Sequence, residues 1–266
     1  MKIIDLTLPL GIATPAWPTY EPLQIKYFKR LAPNGANGQL LTHSNHLGTH
    51  LDGECHFWTP GKDIASLDMD YLVHDAAVVD LSDCAGDYDV YTSKQVMERV
   101  EVKHGDILII HTGYHHFGWD MPTGDEVRYM VQHPGPDREF AEWAKDLELR
   151  WIGVDCGSAD HPMNTIIRTW HPGSFKECDE KLKKLYGKSF DELYPVKEFY
   201  QAMHLKLFPK GIVHAENLAG DIAKLGTTRC WIGCFPLRGI ELESSMCRIV
   251  AWLPPKTKAA KKAKKK

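Results

Sequence analysis

Short apolar runs, each bounded by turn-forming residues, recur along the chain and constrain its fold more than any other feature. Six of them have the length and composition of buried strands: Ile3–Leu8, Ala76–Leu81, Ile107–Ile110, Trp151–Val154, Trp231–Phe235 and Arg248–Trp252. Helical patterns are fewer, and their spacing does not form a regular βαβ series. The sequence therefore predicts an α+β fold, a single domain with a mixed β-sheet core flanked by helices, rather than a doubly wound sheet.

Helix signals occur between these runs. Thr92 and Gln95 have the spacing of a capping box, which predicts a helix extending to about Val102. A second helical pattern, with apolar residues spaced three and four apart, follows Asp137. From about 163 to 203 the sequence is rich in Lys and Glu and carries several aromatic residues. We expect this segment to be a helical insertion within the domain.

Charge is distributed unevenly along the chain. The last eleven residues hold seven lysines and no acid, and without those lysines the formal net charge changes from −3 to −10. A protein that binds duplex nucleic acid needs a basic face, so the acidic body argues against nucleic acid as a ligand. No run of about 18 apolar residues and no signal-peptide pattern occurs, which predicts a cytoplasmic protein with no membrane partner. We expect residues 1–255 to form the domain and residues 256–266 a disordered tail.

Four of the fourteen histidines lie within fourteen residues. Imidazoles and a carboxylate occupy positions i, i+4, i+6 and i+10 of one segment, namely His46, His50, Asp52 and His56. These are ligands that Zn²⁺, Mn²⁺ and Fe²⁺ take, and three protein ligands with an open position are typical of a catalytic site. Because a straight strand would spread them over about 33 Å, we expect Gly48 and Gly53 to bend the segment around an ion.

An alternative is that some of these histidines are ordinary core or surface residues bonded to the backbone. For a lone histidine that interpretation would be preferred. Here four polar groups are interleaved with Gly, Thr and Leu in a single short segment, and such a density favours metal binding.

The pattern HxGTHxDxxxHF, from His46 to Phe57, resembles the signature of the cyclase-like metal-dependent hydrolases, the family of bacterial kynurenine formamidase and isatin hydrolase. Stretches similar to the family recur elsewhere: Ala13–Pro18, Gly105–Gly113, His133–Gly135, Ile152–Ser158, Gly211–Leu218 and Phe235–Gly239. The resemblance covers residues 1 to about 253, apart from the helical insertion. It implies a swivelling β/β/α fold and a homo-oligomer, either a dimer or a tetramer.

The resemblance also implies roles for the clustered residues. In the family's motif, His46, His50 and Asp52 hold a first metal ion, and His56 is the catalytic acid/base group. We therefore expect a divalent cofactor, Zn²⁺ or Mn²⁺, at one or two ions per chain.

A second ion is implied by a more distant pair. The formamidases hold it with the shared Asp together with a His and a Glu twelve residues apart, a spacing that His204 and Glu216 reproduce. His214 lies too close to Glu216 for this pattern, and we expect it to support the site. If the family fold is correct, His204 and Glu216 should lie within a few ångströms of Asp52.

Two further residues are candidate substrate contacts. Trp17 matches an aromatic pocket position of the formamidases, although it could equally be an aromatic residue packed beside two prolines. His161 follows the Ile152–Ser158 stretch, where the family carries polar residues that face the pocket, although it could be a plain turn residue.

These features predict a metal-dependent hydrolase of a small amide, cyclic amide or related carbonyl compound. A divalent ion lowers the pKa of bound water, and a histidine such as His56 can accept its proton and return it to the leaving group. Two alternatives stay open: a metal-dependent lyase or cyclase on the same site, and a non-catalytic metal-binding or ligand-binding protein. In each case the partner is a small molecule.

Overall fold

The computed structural model describes residues 1–118 and 121–254. Strands in these ranges are β1 Lys2–Asp5, β2 Gln24–Lys29, β3 Gly38–Thr42, β4 His50–Asp52, β5 Val73–Asp80, β6 Val90–Tyr91, β7 Ile107–His111, β8 Gly135–Pro136, β9 Trp151–Val154, β10 Val213–Glu216, β11 Thr228–Pro236 and β12 Ser244–Leu253. The α-helices are α1 Leu31–Asn34, α2 Met69–Leu72, α3 Ser93–Met97, α4 Glu126–Val131, α5 Phe140–Asp146, α6 Ile167–Trp170, α7 Pro172–Tyr186, α8 Phe190–Leu193, α9 Val196–Phe199 and α10 Ala202–Leu207.

Seven strands close into a mixed barrel-like sheet in the order β12-β11-β5-β7-β9-β10-β4, with β4 pairing back to β12. Strands β5, β7, β9 and β10 are parallel to one another, and the remaining pairs of the barrel are antiparallel. Strand β12 has two partners along one edge, because its first residues pair with β4 and its last residues pair with β1. The mixed sheet is as predicted, whereas its closure was not foreseen.

Alternation along the strands sorts side chains between the interior of the barrel and its helix-covered outer face. Interior positions carry a continuous apolar cluster that includes Leu51, Val78, Ile109, Trp151, Ala215 and Ile249. Outer positions of β5, β7 and β9 pack against α5 and α10 in a second cluster that includes Val79, Ile110, Val154, Phe140 and Leu207. Because Leu51 and Ala215 face inward, their neighbours on β4 and β10 face the outer side.

The segment 163–203 is helical in several pieces. Helix α7 ends at Tyr186 and is followed by Gly187, whose φ of 68° lies in the left-handed region that favours glycine. The insertion packs onto the body through Cys178, Leu182, Phe190 and Tyr194. The chain then enters α10 through Gln201, which takes a φ of 44°.

All six predicted strands are present with boundaries shifted by a few residues. Thr92 and Gln95 form the predicted capping box, but α3 ends at Met97 and not near Val102. The predicted Lys-rich tail, residues 256–266, lies outside the described residues, and the domain boundary at residue 255 stays a prediction. Within the described ranges, no helix is both long and apolar enough to cross a membrane.

Candidate metal centre and active site

The histidine-rich segment is bent as its glycines predicted. Gly48 has a φ of 56°, and a Cβ there would lie 2.6 Å from Thr14 Cγ2, so this position excludes larger residues. The chain then forms β4, turns at Gly53 and continues as a 3₁₀ helix, Glu54–His56. This short path brings His56 back toward the start of the segment, with its ring centroid 4.2 Å from that of His46.

Asp52 lies at the centre of a first group of ligand atoms. His46 Nδ1 is 3.1 Å from Asp52 Oδ1, and His50 Nε2 is 3.5 Å from the same oxygen. The two imidazole nitrogens are themselves 3.1 Å apart. Separations of this size are those between neighbouring ligands of one ion, which are about 3.3 Å for bonds of about 2.0 Å in a tetrahedral site.

A second group meets the other oxygen of Asp52. His204 Nε2 lies 3.7 Å from Asp52 Oδ2 and 3.6 Å from Glu216 Oε1. Glu216 Oε2 lies 3.7 Å from His50 Nε2, because β10 pairs with β4 in a register that places Glu216 opposite His50. The two distant residues singled out by their spacing of twelve thus meet Asp52 in the fold.

Burial of several ionisable groups in this cluster shifts their pKa values. His50, Asp52, His204 and Glu216 are all nearly inaccessible. Burial and the charge of Asp52 raise the pKa of Glu216 to about 7. Burial alone would lower the pKa of His204, but hydrogen bonding to Asp160 and the neighbouring carboxylates raise it to about 10. The carboxylates therefore attract positive charge, which protons or metal ions can supply.

The donor set fits a divalent ion. Both carboxylate oxygens of Asp52 are buried, and neither accepts a well-aligned hydrogen bond from a described residue, although His46 Nδ1 lies 3.1 Å from Oδ1. A buried carboxylate left without such bonds is costly unless a cation compensates it. Imidazole nitrogens and carboxylate oxygens surround both of its oxygens, and these are the ligands preferred by Zn²⁺ and Mn²⁺. At this cluster the ligand atoms of His46, His50, Asp52, His204 and Glu216 could hold metal, and His56 and His214 also offer nitrogens close to members of this set.

Glu243 is a site residue that the sequence did not reveal. Its Oε2 lies 2.8 Å from His46 Nε2 and 2.8 Å from His56 Nδ1. Burial alone would raise the pKa of Glu243, but hydrogen bonds from the two imidazoles hold it well below its usual range. A proton on each of these nitrogens leaves His46 Nδ1 and His56 Nε2 as the free acceptors.

Asp160 supports the second group in the same way. Its Oδ2 lies 2.6 Å from His204 Nδ1, and its Oδ1 accepts a hydrogen bond from the backbone of Met203. The carboxylate thus orients the ring of His204 toward Asp52. His214 packs edge-on against His204 with ring centroids 4.8 Å apart, which agrees with the supporting position expected for it.

A cavity of about 490 Å³ opens onto the cluster. Its walls include Trp17, Tyr20, His46, Asp52, His56, Phe57, Ile166, Trp170, Gln201, His204 and Glu216. Trp17 is thus at the pocket, while Ile166, Trp170 and Gln201 show that the helical insertion contributes to its wall. The lining combines a polar floor with aromatic sides, as is common in sites for small organic molecules.

His161 lies elsewhere, contrary to the expectation that it contacts substrate. Its ring is buried between Phe190 and Tyr194, and Nδ1 accepts a hydrogen bond from the backbone N–H of Met163. Burial lowers the pKa of His161 to about 3, so the ring is neutral. It caps the 3₁₀ helix Pro162–Asn164. The preceding residue, Asp160, is the one that reaches the site.

Comparison with known proteins agrees with this geometry. Residues 4–161, more than half of the chain, match the model of the family described as "Putative cyclase". The chain belongs to this cyclase family. A kynurenine formamidase from Bacillus anthracis is 27% identical over 176 residues, which cover 66% of this chain and 78% of that protein. A kynurenine formamidase from Geobacillus thermodenitrificans is 27% identical over 162 residues, covering 59% and 69% of the two chains.

Solved structures show the same fold as this member of the cyclase family. An isatin hydrolase bound to the product analogue thioisatinate superposes with a TM-score of 0.74 at 19% identity, covering 96% of this chain and 93% of that one. Isatin hydrolase A from Ralstonia solanacearum gives a TM-score of 0.71 at 18% identity, covering 94% and 91%. The barrel and its surrounding helices are therefore shared by these proteins.

Proposed function

We propose that this chain is a metal-dependent hydrolase that cleaves a carbon–nitrogen bond, other than a peptide bond, in a small amide or cyclic amide. The observation that carries the proposal is Asp52, a buried carboxylate with imidazoles around both oxygens, at the floor of a cavity of about 490 Å³. The kynurenine formamidases and isatin hydrolases that the chain resembles are hydrolases of this class.

Five residues would hold the cofactor. His46, His50 and Asp52 form the first set of ligands, and His204 and Glu216 share Asp52 to form the second. When bound, a divalent ion provides a Lewis acid that lowers the pKa of coordinated water toward about 7. Glu243 and Asp160 orient His46 and His204 for this task.

His56 is placed to move the proton. Its Nδ1 is held by Glu243 at 2.8 Å, and its ring lines the cavity beside His46. With Nδ1 protonated, Nε2 can accept a proton from the attacking water and deliver it to the departing nitrogen. Glu243 thus fixes the orientation of the ring through this contact.

Aromatic residues shape the substrate-binding part of the cavity. Trp17 and Phe57 line the wall beside the histidines, and Trp170 lines it from the insertion. Trp170 is 41% exposed, so its indole is available to cover a bound molecule. A flat apolar or aromatic substrate with one hydrolysable amide fits this lining. With a substrate bound, Trp170 and the rest of the insertion wall would limit the access of bulk water to the reacting bond.

The decisive experiment joins metal analysis with a substrate screen. Protein purified without added metal is assayed for bound metals, then for hydrolysis of formylated arylamines, isatins, cyclic imides and lactones, before and after chelation. We expect bound metal, amide hydrolysis, loss of turnover on chelation and recovery with Zn²⁺ or Mn²⁺. Full activity in metal-free protein would refute the proposal.

Matched variants separate the roles. His50→Ala should lose both metal and turnover, whereas His56→Ala should keep metal and lose turnover. His104→Ala is the control, because His104 is exposed and pairs with Glu148 far from the cavity lining. Product analysis by mass spectrometry distinguishes hydrolysis, which adds water, from a lyase or cyclase reaction. A metal-loaded protein without any turnover would favour the non-catalytic alternative.

We also infer that the chain forms a homo-oligomer, either a dimer or a tetramer. The β2–β3 hairpin presents Ile25, Tyr27, Phe28, Leu40 and Leu41 to solvent. Clustered apolar side chains of this kind are typical of protein interfaces. Light scattering coupled to size-exclusion chromatography gives the mass. We also propose a cytoplasmic location, from the sequence features described above, and Zn²⁺ or Mn²⁺ as the metal, from the imidazole and carboxylate ligands. The swivelling β/β/α class is a proposal that rests on the resemblance.

A further inference from the structure

A second group of histidines and carboxylates lies at the ends of three neighbouring parallel strands. Asp80 ends β5, His111 ends β7, and Asp155 directly follows β9. The register of β5 and β7 places Asp80 beside His111. His115 joins them from the 3₁₀ helix Tyr114–Phe117. None of the four lines the cavity at Asp52.

Strand alternation places this group at one end of the barrel interior. His111 lies two and four residues after Ile109 and Ile107, whose side chains belong to the interior cluster, so its side chain points to the same face. Asp155 lies four residues after Trp151 and is on the interior side for the same reason. The cluster therefore closes the end at which the parallel strands finish. His111, His115 and Asp155 are all less than 5% exposed.

The ligand atoms converge on one carboxylate oxygen. His115 Nδ1 lies 3.0 Å from Asp155 Oδ2, and His111 Nε2 lies 3.7 Å from the same oxygen. One ligand atom from each of the three residues falls within 4.8 Å of the others. These separations span the value of about 3.3 Å between neighbouring ligands of a tetrahedral zinc ion.

Among the described residues, the buried ring of His111 has a carboxylate near each nitrogen but no well-aligned hydrogen bond. Nδ1 lies 3.1 Å from Asp80 Oδ1, which favours a proton on that nitrogen. Nε2 then faces the carboxylate of Asp155 at 3.7 Å, where positive charge, either a proton on the ring or a metal ion between the two groups, offsets the negative charge of the carboxylate.

Asp155 is already fixed in position. Thr112 donates to Oδ1 from its backbone and its hydroxyl group, and the backbone of Gly113 donates to Oδ2. Metal binding through Oδ2 leaves the bonds from Thr112 and Gly113 in place, and His115 Nδ1 then gives up its proton and binds the metal instead of donating to Asp155.

We propose that His111, His115 and Asp155 bind a divalent transition metal ion, with Zn²⁺ as the preferred ion, at a structural site separate from the cluster around Asp52. Asp80 holds the His111 ring from behind, in the carboxylate–histidine–metal arrangement common in zinc proteins. The ion joins the ends of β7 and β9 to the Tyr114–Phe117 turn.

The first test measures zinc per chain in the full-length protein after dialysis against dilute zinc and then zinc-free buffer, by plasma mass spectrometry. His111→Gln and His115→Gln should each lose one equivalent relative to the unmodified protein. Asp80→Asn should weaken zinc binding by about 10- to 100-fold without removing a ligand. His116→Gln is the control, because this exposed ring stacks on His115 with centroids 3.9 Å apart but lies outside the proposed ligand set.

The second test separates this site from the proposed active site. Its crystallographic part uses the unmodified protein and so does not depend on how well a variant folds. Asp52→Asn should still retain one zinc equivalent, which His115→Gln in the same chain should remove. A crystal of the unmodified protein grown with zinc should show an anomalous peak between His111, His115 and Asp155. Unchanged zinc content in both histidine variants, or no anomalous peak at this position, would overturn the proposal whatever the result at Asp52.

Discussion

Replacing Glu243 with glutamine tests how the site orients its two reacting imidazoles. The carboxylate oxygen Oε2 lies 2.8 Å from both His46 Nε2 and His56 Nδ1. Glutamine keeps the size of the side chain and one oxygen acceptor, but it loses the negative charge and cannot accept from both rings at full strength. Either His46 or His56 is then free to rotate or to change tautomer.

The expected magnitude follows from these contacts. A hydrogen bond to a charged group contributes about 1.5–3 kcal/mol. The side chain of Glu243 is 38% exposed, so solvent screening favours the lower end of this range. Loss of one such bond, about 1.5 kcal/mol, corresponds to roughly a tenfold fall in kcat/KM.

The assay is steady-state hydrolysis of the best substrate from the screen, with metal content measured on the same samples. We expect kcat to account for most of the loss, since Glu243 acts on His56 and not on the aromatic walls. Glu21→Gln is the matched control for the loss of charge. Glu21 lines the same surface cavity as Glu243, but its carboxylate accepts a hydrogen bond from Gln24 and contacts neither imidazole. If Glu243→Gln kept both its turnover and its metal affinity, the orienting role would be wrong.

Three further outcomes are expected. Trp170→Ala should raise KM several-fold and broaden the substrate range with metal content unchanged, while Leu185→Ala, an exposed change on α7, should alter neither kinetic constant; equal KM values would exclude a substrate-covering role. Glu216→Gln should reduce the metal content by up to one ion per chain, and an unchanged content would show that Glu216 is not a ligand. Since burial lowers the pKa of His161 to about 3 from its usual 6.5, the unfolded chain takes up a proton that the folded chain refuses, and stability should fall as pH drops from 6.5 toward 3. Calorimetry across this range should show a shallower decline for His161→Asn, and parallel curves would contradict this account.

Local patterns predicted the elements of this fold well. The six apolar runs became strands because each one fills a buried position in the sheet, and the capping box of Thr92 and Gln95 formed as its spacing required. Helix α3 ended early because packing and turn formation decide helix length more than the starting signal does. The closure of the barrel depends on β4 pairing with β12, and no local periodicity records a pairing across almost 200 residues.

The residues of the candidate site also differ in how well the sequence predicts them. The density of histidines from His46 to His56 indicates candidate metal ligands by itself, and the family pattern adds His204 and Glu216 as candidates by their spacing. Glu243 carries no such signal, because it is one acidic residue among many in a turn between two strands. In the Asp160–Pro162 stretch the sequence predicted His161 as the functional residue. In the fold, the side chains of Asp160 and His161 point in different directions, so that the imidazole lies in the core and the carboxylate of Asp160 contacts His204.

The pairing of β12 with both β4 and β1 determines when the candidate site can be completed during synthesis of the chain. The first residues of this strand pair with β4, which carries His50 and Asp52, and Glu243 directly precedes the strand. A growing chain that has emerged only as far as residue 240 thus lacks both the edge that holds these ligands in register and the carboxylate that orients His46. Ligands separated this widely in sequence close slowly, since long loops must be ordered first. We therefore expect the proposed metal centre to be completed only after residues 243–246 have been synthesised, because a shorter chain lacks Glu243 and the residues that pair with β4.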